Sequence, residues 1–225
     1  MFGGDAAYRE IYVGGSLDER NWNVRRREVG SDVSDAGRQG RQAGLAEEVS
    51  VVNQGSLFEV EASLRAAIVS PCGKYRNSLL RTWEDGPILY WVMLNPSTAD
   101  ADHDDQTTHK VMGFARCNGF GSIMIENLVP YRSTDPKRLV GMTDLDLLGN
   151  REFANEPFRR IPKDAKVVCG WGGFPYKHNH LGRRMIDVMK MLDRPLLCVK
   201  QSLGRPWHPL YVPYGPLQVW NPMEL

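Results

Sequence analysis

Four residues with useful chemistry each stand just past an apolar run. Asn95 follows Ile88-Leu89-Tyr90-Trp91-Val92-Met93-Leu94, and Asn127 follows Ile123-Met124-Ile125-Glu126. Trp171 follows Val167-Val168-Cys169-Gly170, and His208 lies beyond Leu196-Leu197-Cys198-Val199-Lys200. An asparagine amide offers a donor and an acceptor but takes up no proton. Asn95 can therefore orient a water or a polar substrate edge without acting as a base. Pro96 holds Asn95 extended, and the plainer reading of the pair is a turn. Asn127 at a strand end can read a nucleobase edge, which asks for one donor and one acceptor together; it serves equally as a turn cap. Trp171 with Gly172-Gly173 joins a stacking face to close backbone approach, or packs in the core. His208 can donate a hydrogen bond to charge developing on a leaving group, or stand in a stiff, proline-rich surface loop.

Residues suited to phosphate surround these four. Ser97 and Thr98 can present backbone N–H groups or cap a helix. Arg132, Lys177 and Arg205 supply cations, and Leu210 or Tyr211 can wedge into a base stack. The cluster Asp100, Asp102, His103, Asp104, Asp105 and His109 matches no metal-ligand spacing. It reads as a solvated acidic loop before a helix, with Asp105 as the cap. No metal and no cofactor is expected.

The elements that must carry these residues follow from the pattern. Leu64 to Ser70 and Tyr75 to Trp83 flank the turn signal Pro71-Cys72-Gly73-Lys74, which predicts an antiparallel hairpin. Ile88 to Leu94 has the unbroken apolar character of a strand covered on both faces. Helices are predicted over Thr107 to Asn118, after Thr143, and over Leu181 to Leu192. Further strands are predicted at Ser122 to Glu126, Ala165 to Gly170 and Leu196 to Lys200. Strands alternating with helices imply right-handed crossovers and a mainly parallel sheet, which puts all four strand endings on one edge. An open sheet of this kind places its ligands there.

The 225 residues fit one domain and an appendage. Residues 1–57 are rich in Gly and Arg and poor in large aliphatics, and read as a flexible tail with a short helix near Gly44 to Val51. Residues 58–225 read as one α/β domain. No apolar stretch approaches a membrane span, and no signal-peptide pattern opens the chain. Cys72, Cys117, Cys169 and Cys198 are too scattered for a metal or disulfide motif, which predicts reduced thiols and a cytoplasmic protein. From Pro157 onward there are 11 Lys/Arg against 4 Asp/Glu, whereas residues 58–156 hold 10 against 14. A basic C-terminal third beside a site suits a polyanion, although a solvated surface gives the same pattern.

Two resemblances rest on these residues. Leu94-Asn95-Pro96-Ser97-Thr98-Ala99-Asp100, Asn127-Leu128 with Tyr131-Arg132 and Thr134-Asp135-Pro136, Trp171-Gly172, and Arg205 with His208-Pro209-Leu210-Tyr211 together resemble a functionally uncharacterised bacterial and phage domain family, from about Cys72 to Leu217. More distantly, the pattern is similar to the uracil-DNA glycosylase superfamily. That likeness implies a three-layer α/β/α fold with a mainly parallel four-stranded sheet, here preceded by the hairpin. It also implies that Asn95 places a water, Asn127 reads the base and His208 stabilises the leaving group, so that Asn95 and His208 are catalytic. Leu210 stands where that superfamily's His-Pro loop carries Ser. The function expected is cleavage or exchange of an N-glycosidic bond at an extruded base, by a monomer acting on DNA with no membrane involved. The alternatives are a non-catalytic nucleic-acid or nucleotide-binding module on the same fold, and a phage accessory interaction protein.

Overall fold

The computed structural model describes residues 23–29 and 63–222. The tail and the helix near Gly44 to Val51 lie outside the described residues, except that Asn23–Val29 forms a strand. The expected hairpin is present as β2 (Ser63–Val69) and β3 (Arg76–Thr82), and Asn23–Val29 (β1) pairs antiparallel with β2.

The hairpin is part of the main sheet. β4 (Ile88–Met93) is followed by α1 (Gln106–Cys117), β5 (Ser122–Asn127), α2 (Asp144–Leu148), α3 (Arg151–Arg160), β6 (Val167–Cys169), α4 (Asn179–Leu192) and β7 (Leu197–Cys198). A two-residue hairpin follows, β8 (Gln201–Ser202) and β9 (Arg205–Pro206), and the last strand is β10 (Gln218–Val219). The sheet runs β1-β2-β3-β5-β4-β6-β7-β10. Its central strands β5, β4, β6 and β7 are parallel, while the hairpin joins antiparallel through β3 and β5, and β10 closes the other edge antiparallel.

Alternation along each strand sends side chains to two cores. Tyr90, Val92, Met124, Val167 and Cys169 pack on the face covered by α2, α3 and α4, where Leu147, Phe158, Met185 and Val188 meet them. Leu89, Trp91, Met93, Ile123 and Val168 pack on the face covered by α1 through Val111, Phe114 and Ala115. A strand buried on both faces needs an unbroken apolar sequence, which β4 has. Asp105 caps α1, accepting from Thr108 N at 2.8 Å, and Thr143 and Asp146 form a capping box at α2.

The crossover from β4 runs to β5 on one side, and the crossover from β6 runs to β7 on the other. The chain leaving neighbouring β4 and β6 therefore runs to opposite sides, and an open α/β sheet forms its crevice at such a point.

Candidate functional site

A cleft of about 410 Å³ opens at that crevice. The four strand-end residues all line it: Asn95, Asn127, Trp171 and His208. Ser97 and Tyr211 join them, while Thr98, Arg132, Lys177, Arg205 and Leu210 do not. Arg132 is committed to structure: it donates to the carbonyls of Ser97 (3.4 Å), Thr98 (3.2 Å) and Gly73 (3.4 Å), bracing the loop after β4. Thr98 and Lys177 are exposed. Arg205 lies with its guanidinium 5.0 Å from the Tyr176 ring centre, and Lys200 Nζ lies 4.1 Å from that of Trp207.

Asn95 is fixed by two bonds from Nδ2, to Ser133 O at 2.8 Å and Pro96 O at 3.0 Å. With both amide hydrogens donated to the protein, Asn95 has its carbonyl oxygen left to offer, an acceptor only. Asn127 is the opposite case. It is 4% exposed, and neither Oδ1 nor Nδ2 has a protein partner. A buried polar group left unpaired costs roughly 1–3 kcal/mol, so this amide calls for a partner from the cleft, a water or a ligand.

His208 opens a short 3₁₀ turn (Pro209–Tyr211), and its Nδ1 accepts from Leu210 N at 3.3 Å. An acceptor Nδ1 means a neutral ring with the proton on Nε2, leaving a single N–H donor for a ligand. Burial lowers the pKa of His208, against the opposing charge of Asp105. Gly172, at φ +72°, turns the chain beside His208; a Cβ there would stand 3.6 Å from that of His208. Gly170 allows a closer approach still, since a Cβ there would meet Met93 Sδ at 2.7 Å and Pro209 Cδ at 3.3 Å. The His-Pro loop thus seats directly on the ends of β4 and β6.

Trp171 is 2% exposed, and its ring packs edge-on to Trp220 at 5.3 Å.

Two charged residues of the cleft escaped the sequence reading. Arg76 is 3% exposed; burial pushes its pKa down to about 10, so it stays charged at neutral pH. Its Nη1 donates to Ala99 O at 2.7 Å, and its Nε has no protein partner. Arg76 opens a strand that is itself mostly polar, Arg-Asn-Ser-Leu-Leu-Arg-Thr, so nothing in the sequence set it apart. Asp105 caps α1 as expected, and it also lines the cleft. A cap and a site residue look alike in sequence.

Asp100 and Asp104 of the acidic cluster are spent within the fold. Asp100 Oδ1 accepts from the backbone of Asp102 and His103, each at 3.0 Å. Asp104 pairs with Arg81 at 2.7 Å and Arg65 at 3.1 Å. Among the described residues, no group of three or more His, Cys, Asp or Glu is placed to hold a metal ion. All four cysteines are free, with Cys169 and Cys198 buried. No described helix is long and apolar enough to cross a membrane.

Residues 76–210 match the model of a protein family described as of unknown function, DUF1643. The chain belongs to the DUF1643 family. The matched stretch opens at Arg76 in the cleft and ends two residues after His208, so it encloses nearly the whole site. No curated protein and no solved structure matches the chain.

Proposed function

We propose that this chain processes bases in DNA, cleaving or exchanging the N-glycosidic bond of a modified or mismatched base extruded into the cleft. Asn127 carries the reading: a buried, wholly unpartnered amide at the end of a central strand. Its donor and acceptor together complement a base edge. Trp171 offers an aromatic neighbour for the ring. As the C–N bond breaks, its electron pair goes to the base, and the Nε2–H of His208 donates to that developing charge. The carbonyl oxygen of Asn95 accepts a hydrogen bond from the attacking water. Helices on both faces of the sheet support reading the fold as the three-layer, glycosylase-like one.

The second reading is a nucleic-acid-binding module without chemistry. What favours it is that neither asparagine can take a proton, and that the acceptor nitrogen of His208 is already bonded to Leu210.

The test is incubation with oligonucleotides carrying uracil, hydroxymethyluracil or mispaired thymine, scoring abasic sites by alkaline cleavage. Cleavage is expected, with His208→Ala slower by about 10²-fold or more. Asn127→Leu should lose cleavage while keeping its melting temperature. Salt-sensitive binding with no abasic site on any oligonucleotide would move the assignment to the module.

A further inference from the structure

Water attacking a sugar carbon must lose a proton, and the strand-end residues provide no group to take it. We propose that Asp105 is the general base of this site, supplied by the cap of α1 and not by any strand end; this rests on the glycosidic reading above. Three observations carry it.

First, Asp105 is the one carboxylate that lines the cleft shared by Asn95, Asn127 and His208, among the described residues. Second, its cap bonds, from Thr108 N at 2.8 Å and Thr108 Oγ1 at 2.9 Å, both fall on Oδ1. Oδ2 is therefore available to a ligand while the helix stays capped. Third, its charge opposes the effect of burial on two other ionisable groups of the cleft, His208 and Arg76.

The step balances. Oδ2 takes one proton from the water as its oxygen bonds to the sugar carbon, and the glycosidic C–N bond breaks. The electron pair of that bond leaves on the base, held by His208 Nε2–H. The proton on Asp105 then passes to solvent, and the base picks up one from solvent. The acceptors Asn95 and Asp105 serve the water. The N–H of His208, with the donor and acceptor of Asn127, serves the base.

The variant that separates this role from the cap is Asp105→Ser. Serine caps helices about as well as aspartate, so α1 should persist and the melting temperature should stay near wild type. Cleavage of whichever oligonucleotide the wild type processes is expected to fall about 10²-fold or more. Added formate, a carboxylate small enough for the space left behind, is expected to restore part of the rate. A folded Asp105→Ser variant that cleaves at the wild-type rate overturns the proposal and leaves the glycosidic reading standing. A slow variant that formate does not rescue also overturns it, assigning Asp105 a structural role. A wild-type protein that cleaves nothing overturns both. Independently of turnover, the Asp105→Ser change should lower the His208 pKa seen by NMR titration; an unmoved His208 counts against the juxtaposition itself.

Discussion

At the scale of single residues, position relative to the sheet separates two neighbours with opposite fates. Asn127 ends β5 facing the cleft, whereas Glu126, one residue earlier, faces the other core. Glu126 is 3% exposed and accepts from Ser78 Oγ at 2.8 Å. Burial outweighs that bond and the nearby arginines and pushes its carboxyl up to about 8. The unfolded chain releases this proton near pH ~4.3. Between there and about 8 the folded chain holds a proton that the unfolded chain has lost, so stability falls as pH rises, by up to about 1.4 kcal/mol per pH unit. Glu126→Gln should abolish that fall, and denaturant melts at pH 5 and pH 8 check it. Asn127 was legible because an asparagine closing an apolar run is conspicuous. Asp105 was not, because the cap bond accounts for its presence without any site.

At the scale of elements, the local rules held wherever local chemistry decides. The Pro-Cys-Gly-Lys turn placed the hairpin, and the apolar stripe placed α4. The helix α3 was hidden by Pro157, which lies within it and ordinarily breaks a helix. Pro157 has no N–H for the carbonyl four residues back, Phe153. Asn77 of β3 donates to that carbonyl instead, at 2.9 Å. A long-range partner replaces the missing bond, and no sequence window could contain both. The β8–β9 hairpin shows the converse, a local rule broken in the fold. Leu203 sits at φ 50° beside Gly204 at φ 64°, and it is 77% exposed. A left-handed leucine costs roughly 1–2 kcal/mol, and its exposure returns little by burial. Leu203→Asn creates the Asn-Gly pair that such turns favour and should stabilise the protein by about 1 kcal/mol, read as a rise in melting temperature. A fall would show that the leucine holds a contact worth more than its strain.

At the scale of the whole molecule, net charge is +1, so any affinity for a polyanion must come from distribution. The loop that delivers His208 to the cleft is flanked by Lys200 over Trp207 and Arg205 over Tyr176. Pairs of this kind offer a cation and a ring face together, as single-stranded nucleic acid asks. If two or three such cations meet phosphates, log affinity for a single-stranded oligonucleotide should fall with log salt at a slope of about −1.5 to −2. A titration at several salt concentrations reads the slope, and a flat line argues for a partner that is not a polyanion. The parallel core was legible at this scale because strand–helix alternation dictates it. The antiparallel edge strand β10, two residues long, carries no pattern of its own. It is placed by pairing with β7 and by Trp220, whose Nε1 donates to Gly204 O at 2.9 Å.

The same Trp220 packs against Trp171, and Trp171 faces the cleft. The protein thereby carries an optical reporter wired to its own crevice. The two rings stand 5.3 Å apart, and a ligand settling beside Trp171 is expected to alter the emission of the pair. Occupancy of the cleft should then be readable in the unlabelled chain, by the colour and brightness of its own tryptophans.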